Sequence, residues 1–101
     1  MEKDHYIGVD ISKRTIDVAI YVKNQAKKGT FPHETFTNSE EGFKDMKRWL
    51  RKQKVVLLKS LFCMEATGNY TYELCLFLEQ QSVDYSIQSP LHLKRSFGLT
   101  H

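Results

Sequence analysis

The sequence predicts an α/β domain in which a mixed sheet opens with an antiparallel meander and is flanked by helices. Three observations predict this fold: early runs that alternate at period two, two later stretches with helical periodicity, and an apolar run between those stretches. A chain of 101 residues has room for one modest hydrophobic core. We therefore expect a single domain over residues 1–101 and no second domain.

The first two strands are predicted to form a hairpin. His5–Val9 is a short apolar strand that ends at Asp10, and Thr15–Val22 follows after a break at residues 11–14. In the second run apolar residues alternate with polar ones, which is typical of a half-buried strand. Its apolar residues share one face and are Ile16, Val18, Ile20 and Val22.

A polar turn over residues 23–29 separates this hairpin from a weaker third strand over Phe31–Phe36. Asn38 to Glu41 then combines a capping residue with two acids, a pattern that favours the start of a helix. The apolar residues of this helix recur at helical spacing, while basic residues cover its other side. The apolar set is Phe43, Met46, Trp49 and Leu50, and the basic set is Lys44, Lys47, Arg48, Arg51 and Lys52.

The second half predicts a strand over Ser60–Met64 that ends at Glu65, a helix over Tyr70–Gln81 and a last strand over Val83–Gln88. A turn over residues 66–69 precedes the second helix. The predicted order is β-β-β-α-β-α-β, followed by the start of another helix.

Composition excludes several classes of protein. The longest apolar run, Leu61 to Met64, is far shorter than the ~20 residues of a membrane span, and no secretory signal opens the chain. Cys63 and Cys75 lie in apolar surroundings and form no CxxC pair, which is typical of reduced thiols in a cytoplasmic protein. We therefore expect neither a membrane protein, nor a disulfide scaffold, nor a cysteine zinc site.

Two acids stand out because each directly follows an apolar strand. Asp10 follows the first strand and Glu65 follows the fourth. If these strands are neighbours, both carboxylates converge at one edge of the sheet, where functional groups gather in open α/β folds. Oxygen ligands of this kind suit Mg²⁺ or Mn²⁺. The alternative is that each acid caps a turn: Asp10 at the amides of Ser12 or Lys13, and Glu65 at the helix after Gly68.

The loop after Asp10 favours the functional interpretation, because small and polar residues let a phosphate or a metal-bound substrate approach the backbone. The loop lacks the GxxxxGK[ST] pattern, which excludes a P-loop. Asp17 lies within the second strand and is expected to face solvent, away from the apolar side.

At these residues the sequence resembles the DEDD-type transposases of bacterial insertion sequences, the group that includes the Piv DNA invertase. Residues 6–20 (YIGVDISKRTIDVAI) resemble the opening of that family, and residues 64–70 (MEATGNY) resemble its second acidic motif. Residues 36–43 (FTNSEEGF) and the Ser89-Pro90 start of the last segment add weaker matches.

The resemblance implies an RNase H-like fold of the RuvC type, in which four acids bind two divalent metals and support DNA strand cleavage and transfer. It assigns the first acid to Asp10 and the second to Glu65, both as catalytic residues and metal ligands. The third and fourth belong to an Asp-x-x-Asp motif expected to follow His101, so the catalytic domain is expected to be truncated at its C-terminus. The chain is then the N-terminal part of a metal-dependent transposase and inactive alone.

The resemblance also implies partners and a location. The partners are DNA, at the insertion-sequence ends and the target, and a guide RNA for the full-length protein. The location is the bacterial cytoplasm, at the nucleoid. Composition predicts no membrane partner, and a homo-oligomer stays open. Basic residues expected to contact nucleic acid are Lys13, Lys44, Arg48, Arg51 and Lys52, although a helix face of this kind is also typical of plain solvation.

Two other functions remain open at this point. One is an RNase H-like module that binds nucleic acid without catalysis through the region from Lys44 to Lys59, where seven basic residues accompany one acid. The other is a phosphotransferase half-domain of the actin and hexokinase type, which shares a hairpin with a strand-end Asp. That alternative is disfavoured because the hairpin loop lacks glycines, with only Gly8 nearby.

Overall fold

The computed structural model describes residues 3–22, 31–65 and 70–88, which form a five-stranded mixed sheet with two helices. The strands are β1 His5–Ile11, β2 Thr15–Val22, β3 His33–Thr37, β4 Ser60–Glu65 and β5 Asp84–Gln88. The helices are α1 Glu40–Lys52 and α2 Tyr72–Gln80, and a 3₁₀ turn over Leu57–Lys59 precedes β4. The element order agrees with the order predicted from the sequence. The polar turn over 23–29, the turn over 66–69 and the segment from Pro90 lie outside the described residues.

The sheet has the strand order β3-β2-β1-β4-β5. β1, β2 and β3 form the predicted antiparallel meander, whereas β4 and β5 run parallel to β1. The carboxyl ends of β1, β4 and β5 therefore lie at the same edge of the sheet. β1 is the central strand, and β4 lies beside it. α1 connects β3 to β4, which run in the same direction, as a crossover connection requires.

Both helices pack on one face of the sheet, hereafter the helical face. Period-two alternation points Ile7 and Val9 of β1 to this face, where they are buried, together with Phe62 and Met64 of β4. The buried residues that the helices add are Phe43, Met46, Leu50, Leu74, Cys75, Phe77 and Leu78. Alternate strand residues, including Tyr6 and Gly8, point to the opposite face.

Local chemistry explains where α1 begins. Ser39 is its N-cap in extended conformation, and its hydroxyl accepts a hydrogen bond from the backbone N–H of Gly42 at 3.2 Å. Glu40 and Glu41 occupy the first turn and Arg51 and Lys52 the last, so both ends complement the helix dipole. Neither described helix is long and apolar enough to cross a membrane.

Candidate functional site

Asp10 and Glu65 lie at the carboxyl ends of two neighbouring parallel strands. Val9 of β1 pairs with Met64 of β4, and the same register continued by one residue sets Asp10 beside Glu65. Adjacent strands are about 4.8 Å apart. Because Val9 and Met64 point into the core, the next residue on each strand points to the opposite face. The fold therefore brings the two predicted acids together on one face at one edge.

Asp10 is exposed and Glu65 is half-buried, and neither carboxylate has a hydrogen bond or an ion pair with a described residue. The turn after β1 is closed without Asp10. Ser12 donates its backbone N–H to the carbonyl of Thr15 at 2.9 Å, and its hydroxyl accepts from the Thr15 N–H at 3.2 Å. Among the described residues, neither the Ser12 nor the Lys13 amide donates to Asp10, which contradicts the turn-capping alternative.

The capping alternative for Glu65 places it at the start of the second helix. In the structure the N-cap of α2 is Thr71, and no side chain caps this helix by a hydrogen bond. Glu65 thus makes no capping contact with α2, and residues 66–69 lie outside the described part of the chain.

Asp17, which the sequence predicts to be a solvent-facing strand residue, lies beside Asp10. In the β1–β2 register Asp17 is the direct cross-strand partner of Asp10. Asp17 faces away from the apolar side of the sheet, as predicted. Asp10 lies on this same solvent-facing side. Thr35 of β3 donates its hydroxyl to Oδ1 of Asp17 at 2.5 Å. The signal that could have found it is the hairpin register, which pairs residues equally distant from the turn.

The donor chemistry fits a hard divalent cation, because the groups at this edge are carboxylate oxygens. Cross-strand carboxylates repel each other unless a cation or a proton lies between them. Among residues 3–22, 31–65 and 70–88, however, no three His, Cys, Asp or Glu side chains are close enough to hold a metal ion together. The described residues therefore form no complete set of metal ligands.

The structure separates the predicted nucleic-acid residues into two locations. Lys13 lies in the exposed turn after β1, at the same edge as Asp10. Lys44, Arg48, Arg51 and Lys52 are exposed on α1, which packs on the helical face. The sheet therefore lies between these four residues and the acids.

Local partners occupy some of these basic groups. Lys44 lies 3.9 Å from Glu40, and Arg48 forms an ion pair with Asp45. Lys47 donates to Oε1 of Gln81 at 2.6 Å. Arg51 and Lys52 have no ion pair or side-chain hydrogen bond with a described residue.

The cysteines contribute no reactive thiol to the site. Cys63 and Cys75 are free and buried, as the sequence predicts. Burial raises the pKa of both thiols, which disfavours the thiolate that reacts or binds metal.

A cleft of about 310 Å³ lies between α1 and α2, away from the acids. Phe43 and Phe77, whose ring centroids are 5.5 Å apart, form part of its wall, and Glu40 and Glu73 add two carboxylates. It lies on the helical face, whereas Asp10 and Glu65 lie on the other, so the two features do not form one site.

Comparison with known proteins finds two curated relatives. The chain is 31% identical over 88 residues to the pilin gene-inverting proteins of Moraxella bovis and of Moraxella lacunata. The match covers 87% of this chain and 26% of each relative, so the chain spans about a quarter of their length.

Two solved structures of Ppx/GppA proteins from Aquifex aeolicus, one of them described as a phosphatase, are also similar in backbone. Each has a TM-score of 0.48 and 10% sequence identity over 85% of this chain, and the match covers 35% and 36% of those chains.

The model of the DEDD transposase family of the IS110 type, described as transposase, matches residues 7–100. This match includes Asp10 of β1 and Glu65 of β4. The chain therefore belongs to the DEDD transposase family.

Proposed function

We propose that residues 1–101 are the N-terminal part of an RNase H-like, RuvC-type catalytic domain of a transposase that cleaves and joins DNA strands with divalent metal ions. The observation that carries the proposal is the pair Asp10 and Glu65. Glu65 ends β4, and Asp10 lies one residue before the end of the adjacent parallel strand β1. Both lie on one face, without a hydrogen-bond partner among the described residues. Carboxylates left unpaired in this way are available to an ion.

The fold supports this assignment. A mixed sheet with a leading antiparallel meander is the architecture that the family resemblance implies, and β1 and β4 are both interior strands of this sheet. Central strands are rigid supports, which suits groups that must keep a fixed separation during a reaction.

Asp10 and Glu65 would hold Mg²⁺ or Mn²⁺. Bound there, a divalent ion would polarise the scissile phosphodiester and stabilise charge on its oxygens. Two carboxylates supply few of the six oxygen ligands that Mg²⁺ prefers, so the isolated chain is expected to bind metal weakly and to be inactive in strand cleavage. Asp17, paired with Asp10, adds negative potential at the same edge.

The DNA backbone is the proposed partner of the basic residues. Lys13 would contact a phosphate beside the acids. Lys44, Arg48, Arg51 and Lys52 would contact nucleic acid on the other side of the sheet. Contacts of this kind are sequence-independent and weaken as salt rises.

The same proposal covers the whole protein. It would act on insertion-sequence ends and target DNA in the bacterial cytoplasm, at the nucleoid. The whole protein would also bind a guide RNA and associate with itself. No residue of this chain is assigned to either interaction.

Manganese titration followed by NMR tests the shared site. Mn²⁺ should broaden the amide signals of Ile11 and Glu65 with one common midpoint, because one ion lies near both. Asp10→Asn should abolish the broadening at both positions. Glu41→Gln, which removes an exposed acid from α1, is the matched control and should leave the midpoint unchanged.

Uniform weak broadening at all surface acids would contradict a shared site. It would favour the alternative of a nucleic-acid-binding module without catalysis, in which DNA binding is salt-sensitive and independent of metal.

A further inference from the structure

Asn38 lies in the short connection between β3 and α1 and touches two distant segments at once. Its side-chain Nδ2 donates to the carbonyl of Ser12 at 2.9 Å and to the carbonyl of Tyr70 at 3.0 Å. Its backbone N–H also donates to the carbonyl of Arg14 at 2.8 Å. Asn38 thus connects the β1–β2 turn, which contains Ser12 and Arg14, to Tyr70, which is far away in sequence.

The two segments that receive these side-chain hydrogen bonds are those that follow the two acids. Ser12 comes two residues after Asp10 in the β1–β2 turn, and Tyr70 comes five residues after Glu65 at the approach to α2. Since α1 is fixed to the sheet by Phe43 and Met46, Asn38 ties both segments to a rigid support.

Only an amide at this position satisfies both carbonyls. An NH₂ group carries two donors, whereas the flipped amide would set Oδ1 against two carbonyl oxygens. Oδ1 is buried and has no partner among the described residues, so the amide is held there at a cost in desolvation. Ser39, the next residue, already caps α1, so α1 does not need the Asn38 side chain.

We infer that Asn38 is a positioning residue for the acidic pair: it fixes Ser12, two residues after Asp10, relative to Tyr70, five residues after Glu65. The inference rests on the proposed function, in which these acids share a divalent ion. Partners that orient metal ligands from outside the coordination shell typically change metal affinity by about ten- to a hundredfold when they are removed.

The test compares Asn38→Leu with the control Ser60→Ala. Leu has nearly the shape of Asn and no donor, and adds no charge to the metal site. Ser60 is fully buried and donates to the carbonyl of Val56 at 2.7 Å, at the end of β4 away from Glu65. Both variants lose side-chain hydrogen bonds to backbone carbonyls, and only Asn38→Leu loses the link between Ser12 and Tyr70. Asn38→Asp, which keeps the size and replaces the donors by acceptors, serves if Asn38→Leu does not fold.

Two readouts separate the possible outcomes. The Mn²⁺ midpoint at Ile11 and Glu65 should rise about tenfold in Asn38→Leu and stay unchanged in Ser60→Ala. Asn38→Asp should also raise the Mn²⁺ midpoint, although its added negative charge alone would attract Mn²⁺ and lower the midpoint. ¹⁵N relaxation should show faster motion at Lys13 and Thr71 together in the Asn38 variants.

An Asn38 variant with unchanged midpoints, or with altered motion in only one of the two segments, would overturn the inference. If wild-type protein shows no common Mn²⁺ midpoint, the proposed function fails instead, and the relaxation data alone decide whether Asn38 joins the segments.

Discussion

At the scale of single residues, the carboxylate that Asp10 offers to a metal ion also destabilises the sheet. Asp10 and Asp17 are direct cross-strand partners, and like charges in that arrangement destabilise a sheet. Asp10 has no hydrogen-bond partner in the described chain to offset the repulsion. Residues kept for function often carry such a cost in stability.

Asp10→Asn should therefore stabilise the metal-free protein, by about 0.5 kcal/mol in the free energy of unfolding. The measurement is urea denaturation at neutral pH without divalent ions. Asp10→Asn/Asp17→Asn should gain no more than Asp10→Asn alone, because one neutral partner already removes the repulsion. A loss of stability in Asp10→Asn would mean that its carboxylate has a structural role.

At the scale of elements, the contact between α1 and β3 holds the connection that contains Asn38. Gly42 in the first turn of α1 faces Thr37, the last residue of β3, so closely that an added Cβ would overlap the Thr37 carbonyl oxygen. Backbone atoms cannot move aside as a flexible side chain can. The close approach of this helix to the sheet therefore depends on glycine.

Gly42→Ala should destabilise the fold by about 1–3 kcal/mol, the usual cost of overpacking. Helix propensity alone predicts the opposite change in the free energy of unfolding, because it favours Ala over Gly by about 1 kcal/mol. Urea denaturation measures the change, with Lys44→Ala on the exposed side of the same helix as the control. Equal or greater stability in Gly42→Ala would show that α1 does not rest on β3 at this point.

The basic side of α1 gives a second prediction at this scale. Arg51 and Lys52 have no local ion pair, whereas Arg48 is paired with Asp45. Phosphate binding by Arg48 must therefore compete with an existing partner. Arg51→Glu/Lys52→Glu should weaken duplex DNA binding more than Arg48→Glu and should reduce its dependence on salt.

Filter binding or fluorescence anisotropy across a salt series measures both effects. Unchanged affinity in the double variant would assign the basic side of α1 to solvation and leave Lys13 as the proposed phosphate contact.

At the scale of the whole molecule, local pattern predicted the elements well. The period-two run Thr15–Val22 is β2 with the same bounds, and Ser39 caps α1 as the Asn-Ser-Glu-Glu segment indicates. β1 continues to Ile11, beyond the predicted end at Val9, because Ile11 pairs with Ile16 of β2. Asp is unfavourable in strands, so local propensity predicts that β1 ends before Asp10. In the structure, pairing with β2 extends the strand to Ile11.

The candidate site could be predicted only in part. Asp10 and Glu65 are visible because each follows an apolar strand, a local signal. The neighbour Asp17 depends on hairpin register, and the contacts of Asn38 with Ser12 and Tyr70 depend on how distant segments fold together. Periodicity within a window carries no information on such long-range pairing.

The central claim is that Asp10 and Glu65 bind one divalent ion. The most direct measurement is anomalous X-ray scattering from crystals of the chain grown with Mn²⁺. One anomalous peak in contact with carboxylate oxygens of both Asp10 and Glu65, and absent from crystals of Asp10→Asn, is the predicted result. Peaks only at other acids, or a peak on Glu65 that persists in Asp10→Asn, would contradict the shared site.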